Sequence, residues 1–547
     1  MKKLLILAVA ALSLAAISCE NKEQPQDPET YLELTSKEVV TLEEEGDYVT
    51  VTFKTNADWT ATVSDPAVVA ITEGEEKGSA TDEGKIKLSY TSLPAEVPGR
   101  YATLTIKAGP KEVTVSFMQG KVFVISKAVD LGVDGGRADF SVITTEEYTM
   151  KTYDGEGGAF TWAPVTFDKE SGKGYFTVAA NEGYDARQAY VKFTVPSIQV
   201  PHYEVNEETW EEYQDGTEDA VYRIYVNQEG HSKVAWSKEL PADFNLAAEP
   251  DGASLALFNG KLLMTDGAVL RAYNKETGNV ESINVPDGLP IKSICNDDAG
   301  NVLFANLAAF GETAEVYAVK ANASDLTGFT KVASAANGVY APAATSVKAT
   351  GDVFNNAIVT LTIGNAGSGA AYCFGITWTI TGGVAGESAY LNGPVITDTV
   401  WNSKAACFHP SAAGYLYTAY DGVYSLHLSA DGRTNWSDLT GALCNENYGP
   451  TSISVTSWDG NIIAAVSVIA FWGPEWWYSS LVYLLDLTNG ELLSAAELMG
   501  EGNLMPDGID PNLMSSDILL SVEGNNLCVY HVDTSWATVR KIVYPKL

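Results

Sequence analysis

The sequence predicts an all-β protein in which two β-sandwich domains precede a β-propeller. Short alternating apolar runs bounded by Gly, Asn and Asp recur along the chain, and long apolar patterns of helical period are almost absent. Two internal repeats of different length divide the chain. With 547 residues, 46% of them hydrophobic, the chain is long enough to form several domains with buried cores.

The N-terminus has the anatomy of a signal peptide. Two lysines precede the apolar run Leu4 to Ile17, which as a helix would reach only about 21 Å, less than the roughly 30 Å of a bilayer core. The run Ala16-Ile17-Ser18-Cys19 resembles a bacterial lipobox, in which small residues admit the signal peptidase and the cysteine receives diacylglycerol. We therefore expect a signal peptide over residues 1–18 and lipidation at Cys19. The alternative is an ordinary signal peptide with an incidental cysteine.

Residues 19–30 are polar, contain prolines and have no apolar pattern, which predicts a flexible tether. The acidic stretch after Cys19 also resembles the export signal that carries Bacteroidetes lipoproteins to the outer face of the outer membrane. This resemblance implies a lipid-anchored outer-membrane protein at the cell surface.

The charge balance excludes several partners. The formal net charge is −36, and removal of residues 1–18 takes away two lysines and leaves −38. Such a surface repels nucleic-acid phosphates and anionic lipid headgroups. Membrane attachment is therefore expected through the acyl chains on Cys19, since two chains hold far better than one.

The cysteine count argues against a disulfide scaffold. Six cysteines are present, and once Cys19 is lipidated an odd number remains. Since these lie mostly in apolar, strand-like runs, we expect buried free thiols. They are Cys295, Cys373, Cys407, Cys444 and Cys528.

The shorter repeat occupies residues 31–120 and 121–230. In each copy a glycine precedes an aromatic residue by 13 positions, an arginine then opens a strand, and a closing strand ends in glutamine. The landmarks are Gly46, Trp59, Arg100 and Gln119 in the first copy and Gly135, Tyr148, Arg187 and Gln228 in the second. The interval from arginine to glutamine is 19 in the first copy and 41 in the second, which indicates an acidic, aromatic insertion of about 22 residues near 197–219.

Alternating strands in units of this size predict immunoglobulin-like β-sandwiches. The segments Asn56 to Val63, Gly99 to Ile106 and Val115 to Gln119 resemble the BACON domain of Bacteroidetes proteins. The resemblance is close over 31–120 and looser over 121–230, where Tyr148 stands in place of Trp59. It implies an association with carbohydrate-active and glycan-binding proteins, in which many such domains act as spacers.

Residues 231–547 repeat at a longer period. Six strand-turn-strand units succeed one another at spacings of 46, 55, 52, 59 and 45 residues, which suits four-stranded propeller blades. The anchors of the units are Leu270, Val316, Ala371, Val423, Val482 and Leu527. Six blades are predicted, with seven as the alternative. Because a propeller must close, Lys233 to Leu240 is expected to meet Val539 to Tyr544.

The sequence contains no common zinc, redox or hydrolase signature, so no catalytic residue, metal ligand or cofactor is assigned. The five histidines are scattered, and we interpret them as structural. The segment Asn296 to Asn301 offers clustered oxygen ligands for calcium, but it does not follow an EF-hand order, and an Asx-rich turn is the favoured interpretation.

One aromatic segment, Ile469 to Tyr478, stands out as a candidate ligand-binding site. Clustered aromatic rings around a Gly-Pro turn are typical of a sugar-stacking platform or a protein interface, and packing between blades is the alternative. The candidate residues are Phe471, Trp472, Trp476, Trp477 and Tyr478.

These observations favour a non-catalytic, surface-anchored lipoprotein whose propeller binds an oligosaccharide or polysaccharide while the sandwiches act as spacers. The alternative is a structural or protein-interaction propeller that docks an outer-membrane transporter or another lipoprotein. A glycoside hydrolase or polysaccharide lyase is less favoured, because acidic pairs of that kind cannot be recognised without geometry.

Replacement of Cys19 by alanine removes the thiol that would carry the lipid. We expect the Cys19→Ala protein to appear in the soluble fraction after cell lysis, whereas the unaltered protein sediments with membranes. Fractionation and immunoblotting measure this difference. Membrane association that survives the substitution contradicts both the lipobox and the tethered arrangement.

Overall fold

The computed structural model describes residues 29–73, 75–126, 128–153, 160–205, 212–244, 253–306, 308–338, 344–363, 374–393, 406–420, 424–441, 443, 451–472, 477–498, 516–534 and 536–547. These residues form an all-β structure, as predicted. Apart from β-strands, the described ranges contain one short 3-10 turn, Leu326–Gly328, and no α-helix. No helix among them has the length and apolarity to cross a membrane.

The first nine strands form two sheets, with spatial orders β1-β3-β7-β5 and β2-β9-β8-β4-β6. The strands are β1 (Leu32–Leu34), β2 (Val39–Leu42), β3 (Asp47–Thr55), β4 (Trp59–Val63), β5 (Val69–Ile71), β6 (Lys77–Gly78), β7 (Thr81–Tyr90), β8 (Gly99–Ala108) and β9 (Lys111–Gly120). One hydrophobic cluster takes side chains from both sheets. The two sheets therefore share one core.

The next eight strands form two sheets with nearly the same orders, β10-β12-β15-β14 and β11-β17-β16-β13. They are β10 (Phe123–Ile125), β11 (Val129–Leu131), β12 (Gly136–Thr144), β13 (Thr149–Tyr153), β14 (Val165–Asp168), β15 (Lys173–Val178), β16 (Arg187–Val205) and β17 (Glu212–Gln228). Each set contains one parallel pair, β2 with β9 and β11 with β17. The internal repeat read from the sequence is thus also a repeat of topology.

The arginine and glutamine landmarks of the two copies are direct partners. In the first copy the Arg100 Nε–H donates to Gln119 Oε1 at 2.6 Å, and the fully buried Gln119 amide donates to the Glu43 carbonyl at 2.6 Å and to the Thr91 carbonyl at 3.1 Å. One buried glutamine side chain therefore connects three segments of the first copy, and its own polar atoms are all hydrogen-bonded.

The second copy repeats this arrangement. The Arg187 Nε–H donates to Gln228 Oε1 at 2.8 Å, and the buried Gln228 amide donates to the Val133 carbonyl at 3.0 Å and the Ala179 carbonyl at 2.9 Å. Register agrees as well, since Arg100 lies opposite Gln119 and Arg187 opposite Gln228. The insertion changes the interval in sequence and leaves the pair intact.

The predicted insertion extends the hairpin between β16 and β17. The ladder is regular from Arg187 to Val195, shifts between Val195 and Gln199, and continues as a two-stranded ribbon to Val205, opposite Glu212. We call this ribbon, residues 197–219, the hairpin arm. Trp210 lies outside the described residues.

The remaining strands form six sheets within the described parts of residues 233–544. Their spatial orders are β19-β20-β21-β22, β23-β24-β25-β26, β27-β28-β29-β30 with β31 beside β29, β32-β33-β34-β35, β36-β37-β38-β39, and β18-β42-β41-β40.

The strands of these sheets are short and mostly buried. They are β18 (Lys233–Glu239), β19 (Ser254–Phe258), β20 (Lys261–Thr265), β21 (Leu270–Asn274), β22 (Val280–Glu281), β23 (Ser293–Asn296), β24 (Val302–Ala305), β25 (Thr313–Val319), β26 (Thr330–Ala336), β27 (Ala344–Gly351), β28 (Ala357–Ile363), β29 (Phe374–Thr381), β30 (Val384–Ala385), β31 (Ala389–Asn392), β32 (Ala406–Ser411), β33 (Gly414–Tyr420), β34 (Tyr424–Ser429), β35 (Ser437–Asp438), β36 (Thr451–Trp458), β37 (Asn461–Trp472), β38 (Trp477–Asp486), β39 (Glu491–Leu498), β40 (Ser516–Glu523), β41 (Asn526–Asp533) and β42 (Thr538–Tyr544).

One end strand of each sheet contacts the corresponding strand of the next sheet. These strands are β19, β23, β27, β32, β36 and β40, and we call them the core strands. They contact one another in this order, and β40 contacts β19, so the succession returns to its beginning.

Side-chain oxygens reinforce several of these contacts by accepting backbone N–H groups from the neighbouring core strand. The pairs are Ser254 with Ile294 at 2.9 Å, Ser293 with Val347 at 3.0 Å, Ser454 with Leu520 at 2.9 Å, and Asp517 with Leu255 at 2.8 Å. Since neighbouring sheets do not share a backbone ladder here, these side chains supply the hydrogen bonds between them.

The first and last strands of this region pair directly. Strand β18 runs antiparallel to β42, with Lys233 opposite Val543 and Glu239 opposite Thr538. The expected meeting of Lys233 to Leu240 with Val539 to Tyr544 is confirmed. In this sheet β40 is the strand nearest the core and β18 the outermost strand. The anchor Leu527 lies on β41, the second strand from the core, whereas Leu270, Val316 and Val482 each lie on the third strand of their sheets.

The second pair of sheets is attached to the six-sheet region by buried contacts. The Tyr184 ring packs against the rings of Trp458 and Tyr544, and the Asp185 carboxylate accepts from Ser494 Oγ at 2.5 Å and from the Ala495 N–H at 2.9 Å. These contacts join a loop of the second copy to the ends of β36 and β42 and to β39.

Free thiols were predicted, and the three described cysteines of this region are free and buried: Cys295, Cys407 and Cys528. Cys373 and Cys444 lie outside the described residues.

The arginine–glutamine pairs generate a stability prediction. Gln119→Ala removes the acceptor of the Arg100 Nε–H and the amide donor to the Glu43 and Thr91 carbonyls, so we expect a loss of about 1–3 kcal/mol in the free energy of unfolding. Gln228→Ala should have an effect of similar size. Urea denaturation of the full chain measures both.

The matched control is Gln188→Ala, which removes an exposed bond between Gln188 and Asn227. We expect a change of about 0.5 kcal/mol or less for this surface pair. Equal effects of Gln119→Ala and Gln188→Ala would contradict a structural role for the buried pair.

Candidate functional site

A cavity of about 340 Å³ lies among the core strands. All six core strands contribute to its wall, including Leu255 of β19, Cys295 of β23, Lys348 of β27, His409 of β32 and residues of β36 and β40. The wall residues lie toward the C-terminal ends of these strands. We call this side of the six-sheet region the cavity end and the opposite side the hairpin end.

A buried ion pair lies at this cavity. Lys348 Nζ is 2.8 Å from Asp517 Oδ1, and both side chains are about 5% exposed. The same carboxylate accepts from Ser452 Oγ at 2.5 Å and from the Leu255 N–H at 2.8 Å. Asp517 on β40 therefore binds groups on β19, β27 and β36, so one carboxylate links four of the six sheets.

The charge state of Lys348 follows from its surroundings. Burial alone lowers the pKa of a lysine, but the adjacent Asp517 carboxylate outweighs that effect and raises the pKa of Lys348 above its ordinary value. Lys348 therefore carries its positive charge at neutral pH. A buried charge is tolerated only when it is paired and hydrogen-bonded in this way.

His409 also lines the cavity and is neutral. Burial, reinforced by the positive charge of Lys348, lowers the pKa of His409 to about 3. Its Nδ1 lies 2.6 Å from the Pro410 carbonyl oxygen, and since a carbonyl only accepts, Nδ1 carries the proton. The other ring nitrogen of the neutral imidazole is then an acceptor.

These groups restrict what the cavity can do. An imidazole with a pKa of about 3 is a poor general base near neutral pH, and the lysine is held as a cation by its partner. The acceptor nitrogen of His409 and the serine and threonine side chains of β36 suit a small uncharged molecule that carries hydroxyl groups. The arrangement is one of binding rather than proton transfer.

The segment Asn296 to Asn301 lies at the rim of the cavity and forms an Asx-rich turn. The Asp297 carboxylate accepts backbone N–H groups from Ala299 at 3.0 Å, Asn301 at 2.9 Å and Val353 at 2.9 Å. Asp298 accepts from Gly351 N–H at 2.6 Å. The hydrogen-bond donors to these two carboxylates are thus backbone N–H groups, either of the turn itself or of Gly351 and Val353 at and just after the end of β27. This agrees with the favoured interpretation of the segment as an Asx-rich turn.

The predicted aromatic site lies on a hairpin at the other end. Strands β37 and β38 are joined around the Gly-Pro turn, with Phe471 opposite Tyr478 and Trp472 opposite Trp477. In the same sheet Ser454, a cavity residue, lies opposite Ala465, seven residues before Trp472. At roughly 3.3 Å per residue the aromatic pairs are about 23 Å from the cavity along the strands. We call these four residues the aromatic hairpin.

Two predicted site residues lie outside the described residues. Cys19 belongs to the segment 1–28, and Trp476 belongs to the segment 473–476. The structure brings the other four aromatic positions into two cross-strand pairs and does not bring them to the cavity.

Other tryptophans and histidines have structural partners. The Trp436 and Trp458 indole N–H groups donate to backbone carbonyls of Asn392 and Asn525 at 3.0 and 3.1 Å. His231 contacts the Asn181 carbonyl at 2.9 Å, and the buried His531 contacts Ser480 at 3.3 Å. The contacts of His231 and His531 agree with the structural interpretation of the histidines, and both tryptophan side chains have backbone partners as well.

Sequence reasoning missed Lys348, Asp517 and His409. The available signal was a charged or titratable residue within an otherwise apolar strand, as in Ser516-Asp517-Ile518-Leu519-Leu520. That signal marks a buried polar group but not its partner, which lies 169 positions away in the chain.

Comparison with known proteins adds little about function. Residues 247–501 match a family model described only as a domain of unknown function, DUF8500. The match ends before β40 begins and starts after β18, so it spans five of the six sheets. None of the curated proteins matches the chain.

Similarity to solved structures is weak. A Bacteroides ovatus GH5 xyloglucanase in complex with a XXXG heptasaccharide is 14% identical, with 19% of this chain and 27% of that chain covered and a TM-score of 0.15. A three-Ig structure of titin domains I67–I69 is 8% identical over 66% of this chain and 96% of that chain, with a TM-score of 0.14. Human protocadherin-24 EC1-2 is 12% identical, with 36% of this chain and 97% of that chain covered and a TM-score of 0.12.

The buried ion pair generates a second stability prediction. Asp517→Ala leaves the Lys348 cation and two further donors unpaired, so we expect a loss of about 3–5 kcal/mol in the free energy of unfolding. The double variant Lys348→Met, Asp517→Ala should lose less than the sum of the two single variants. Urea denaturation completes this double-mutant cycle.

The control is Lys331→Met, which breaks an exposed pair with Glu315 and should cost at most about 1 kcal/mol. Because the pKa of Lys348 is raised on folding, the stabilising effect of the pair is present below the ordinary lysine pKa and is lost as pH rises through the higher folded-state value. Additive losses in the cycle would contradict direct coupling.

Proposed function

We propose that this chain is a non-catalytic lipoprotein of the outer-membrane surface that binds an oligosaccharide or polysaccharide at the hairpin end of a six-bladed β-propeller, with two immunoglobulin-like sandwiches as spacers. The observation that carries the proposal is the aromatic hairpin. It presents four aromatic positions in two cross-strand pairs beside a Gly-Pro turn.

The arrangement of the sheets supports the architectural part of the proposal. Six sheets whose core strands contact one another in cyclic order, with the first and last strands paired in one sheet, are what a six-bladed propeller requires. Seven blades would need a further sheet, and the described residues of this region form six. Two pairs of sheets, each around one core, suit the sandwiches.

The position of the aromatic hairpin supports the functional part. The second pair of sheets is attached through Tyr184, which contacts Trp458 and Tyr544 at the cavity end. The aromatic hairpin lies at the opposite end of the same sheets. A chain anchored at Cys19 and extended through the two pairs of sheets would thus direct these aromatic residues away from the membrane. Flat aromatic rings stack on sugar C–H faces, so aromatic positions at the end that faces away from the membrane suit the capture of a glycan.

The anchor and the charge are consistent with this model. The lipobox-like run ends at Cys19, the following tether is polar, and the BACON-like segments fall in the two spacers. A net charge of −36 leaves the acyl chains as the means of attachment and disfavours binding to polyanions. Neutral glycans are therefore the preferred class of ligand.

Alanine substitution of the aromatic hairpin tests the proposal. The full chain is run through native affinity gels that contain a panel of neutral polysaccharides, beside the variants Trp472→Ala, Trp476→Ala and Trp477→Ala. We expect at least one polysaccharide to retard the unaltered chain. Each variant should reduce that retardation about tenfold or more, because each substitution removes an aromatic ring that would stack on a sugar.

Tyr48→Ala is the matched control, since Tyr48 is 58% exposed and lies on the first pair of sheets. It should leave retardation unchanged. Retardation that survives all three tryptophan substitutions would overturn the platform, and in that case the aromatic hairpin would favour the alternative function, the docking of an outer-membrane transporter or lipoprotein.

A further inference from the structure

The hairpin arm brings three potential metal ligands together. One ligand atom each of His202, Glu204 and Asp215 can be chosen so that all three lie within 4.8 Å of one another. No other group of three or more His, Cys, Asp or Glu side chains among the described residues meets this criterion. The trio is distant in sequence from the aromatic hairpin and belongs to the second pair of sheets.

The backbone explains why the three side chains meet. His202 and Glu204 are two positions apart on β16, and residues two apart share one face of a strand. On β17 the ladder passes from Gly216, opposite His202, to Gln214, opposite Tyr203, so Asp215 is an extra residue without a partner in the register. Such a bulge redirects a side chain that would otherwise alternate, and here it adds Asp215 to the other two.

The charge of the arm gives an independent reason for a cation. Residues 197–219 contain eight Asp and Glu residues and no Lys or Arg. A two-stranded ribbon is marginally stable on its own, and repulsion between carboxylates on facing strands weakens it further. A divalent cation held between the strands would neutralise part of this charge and join them.

The surroundings of Glu204 favour a fixed ligand. The Tyr213 hydroxyl donates to Glu204 Oε2 at 3.0 Å across the ribbon, which orients the carboxylate and leaves its other oxygen for a metal.

We propose that His202, Glu204 and Asp215 bind one Zn²⁺ ion. An imidazole nitrogen with two carboxylate oxygens is a donor set that zinc accepts, and water completes four coordination. The imidazole distinguishes this site from one suited to calcium or magnesium, which take oxygen ligands. The ion ties β16 to β17 beyond the last regular part of the ladder and so orders the arm that projects from the second pair of sheets.

Calorimetric titration of the full chain with ZnCl₂ tests the site, with absorption spectroscopy of the Co²⁺-loaded protein as a second readout. We expect one ion per chain and a Co²⁺ spectrum typical of four coordination. His202→Ala, Glu204→Gln and Asp215→Asn should each weaken Zn²⁺ binding tenfold or more. Because these side chains lie on an arm outside the core, the variants should keep the circular dichroism spectrum of the unaltered chain.

Glu218→Gln is the matched control, since it removes one carboxylate from the same arm without touching the trio. It should bind Zn²⁺ as the unaltered chain does. Equal weakening by Glu218→Gln would show general attraction of cations to an acidic arm and would overturn the site. Binding that survives His202→Ala, or a chain that takes up no Zn²⁺, would overturn it as well.

Discussion

The six-sheet region depends on one buried carboxylate. Asp517 accepts hydrogen bonds from Lys348, Ser452 and Leu255, which belong to three other sheets. A buried charge pair tolerates little displacement, because separation leaves two poorly solvated charges without their partner. The hydrogen bonds from backbone N–H groups to serine side chains also hold neighbouring core strands together, each joining two adjacent sheets. Together they hold six small sheets, none of which shares a ladder with the next, around one cavity.

The two N-terminal copies show how a repeat can be read through an insertion. In each copy the arginine lies directly opposite the glutamine, and the glutamine amide donates to backbone carbonyls. This holds for Arg100 with Gln119 and for Arg187 with Gln228, although the intervals in sequence differ. Spacing in the sequence located the landmarks because the strands that carry them keep their alternation. It could not reveal that each glutamine closes its core by binding carbonyls of the segments that follow other strands. That role requires burial, and burial is a property of the folded chain.

The candidate sites also differ in how far the sequence alone predicts them. The aromatic hairpin was predictable, because a cluster of aromatic residues around Gly-Pro is visible in a ten-residue window, and the register of β37 and β38 agrees with a turn at that place. The cavity was not predictable from the sequence, since Lys348, His409 and Asp517 lie on three separate sheets. The trio on the hairpin arm falls between these cases. The insertion and its acidity were visible, whereas the bulge that brings Asp215 to His202 and Glu204 was not.

By itself the sequence determined the all-β class, both repeats, the pairing of the first and last strands of the C-terminal region and the free state of the described thiols. These follow from local alternation, from spacing and from the expectation that the first and last strands of the predicted propeller pair. Only the tertiary structure decided that the cavity and the aromatic hairpin lie at opposite ends, that Asp517 meets Lys348, and that the anchor Leu527 lies one strand nearer the core than Leu270, Val316 and Val482. The physical reason is that these features arise from contacts between sheets. Such contacts join residues far apart in the chain, and no short-range pattern records them.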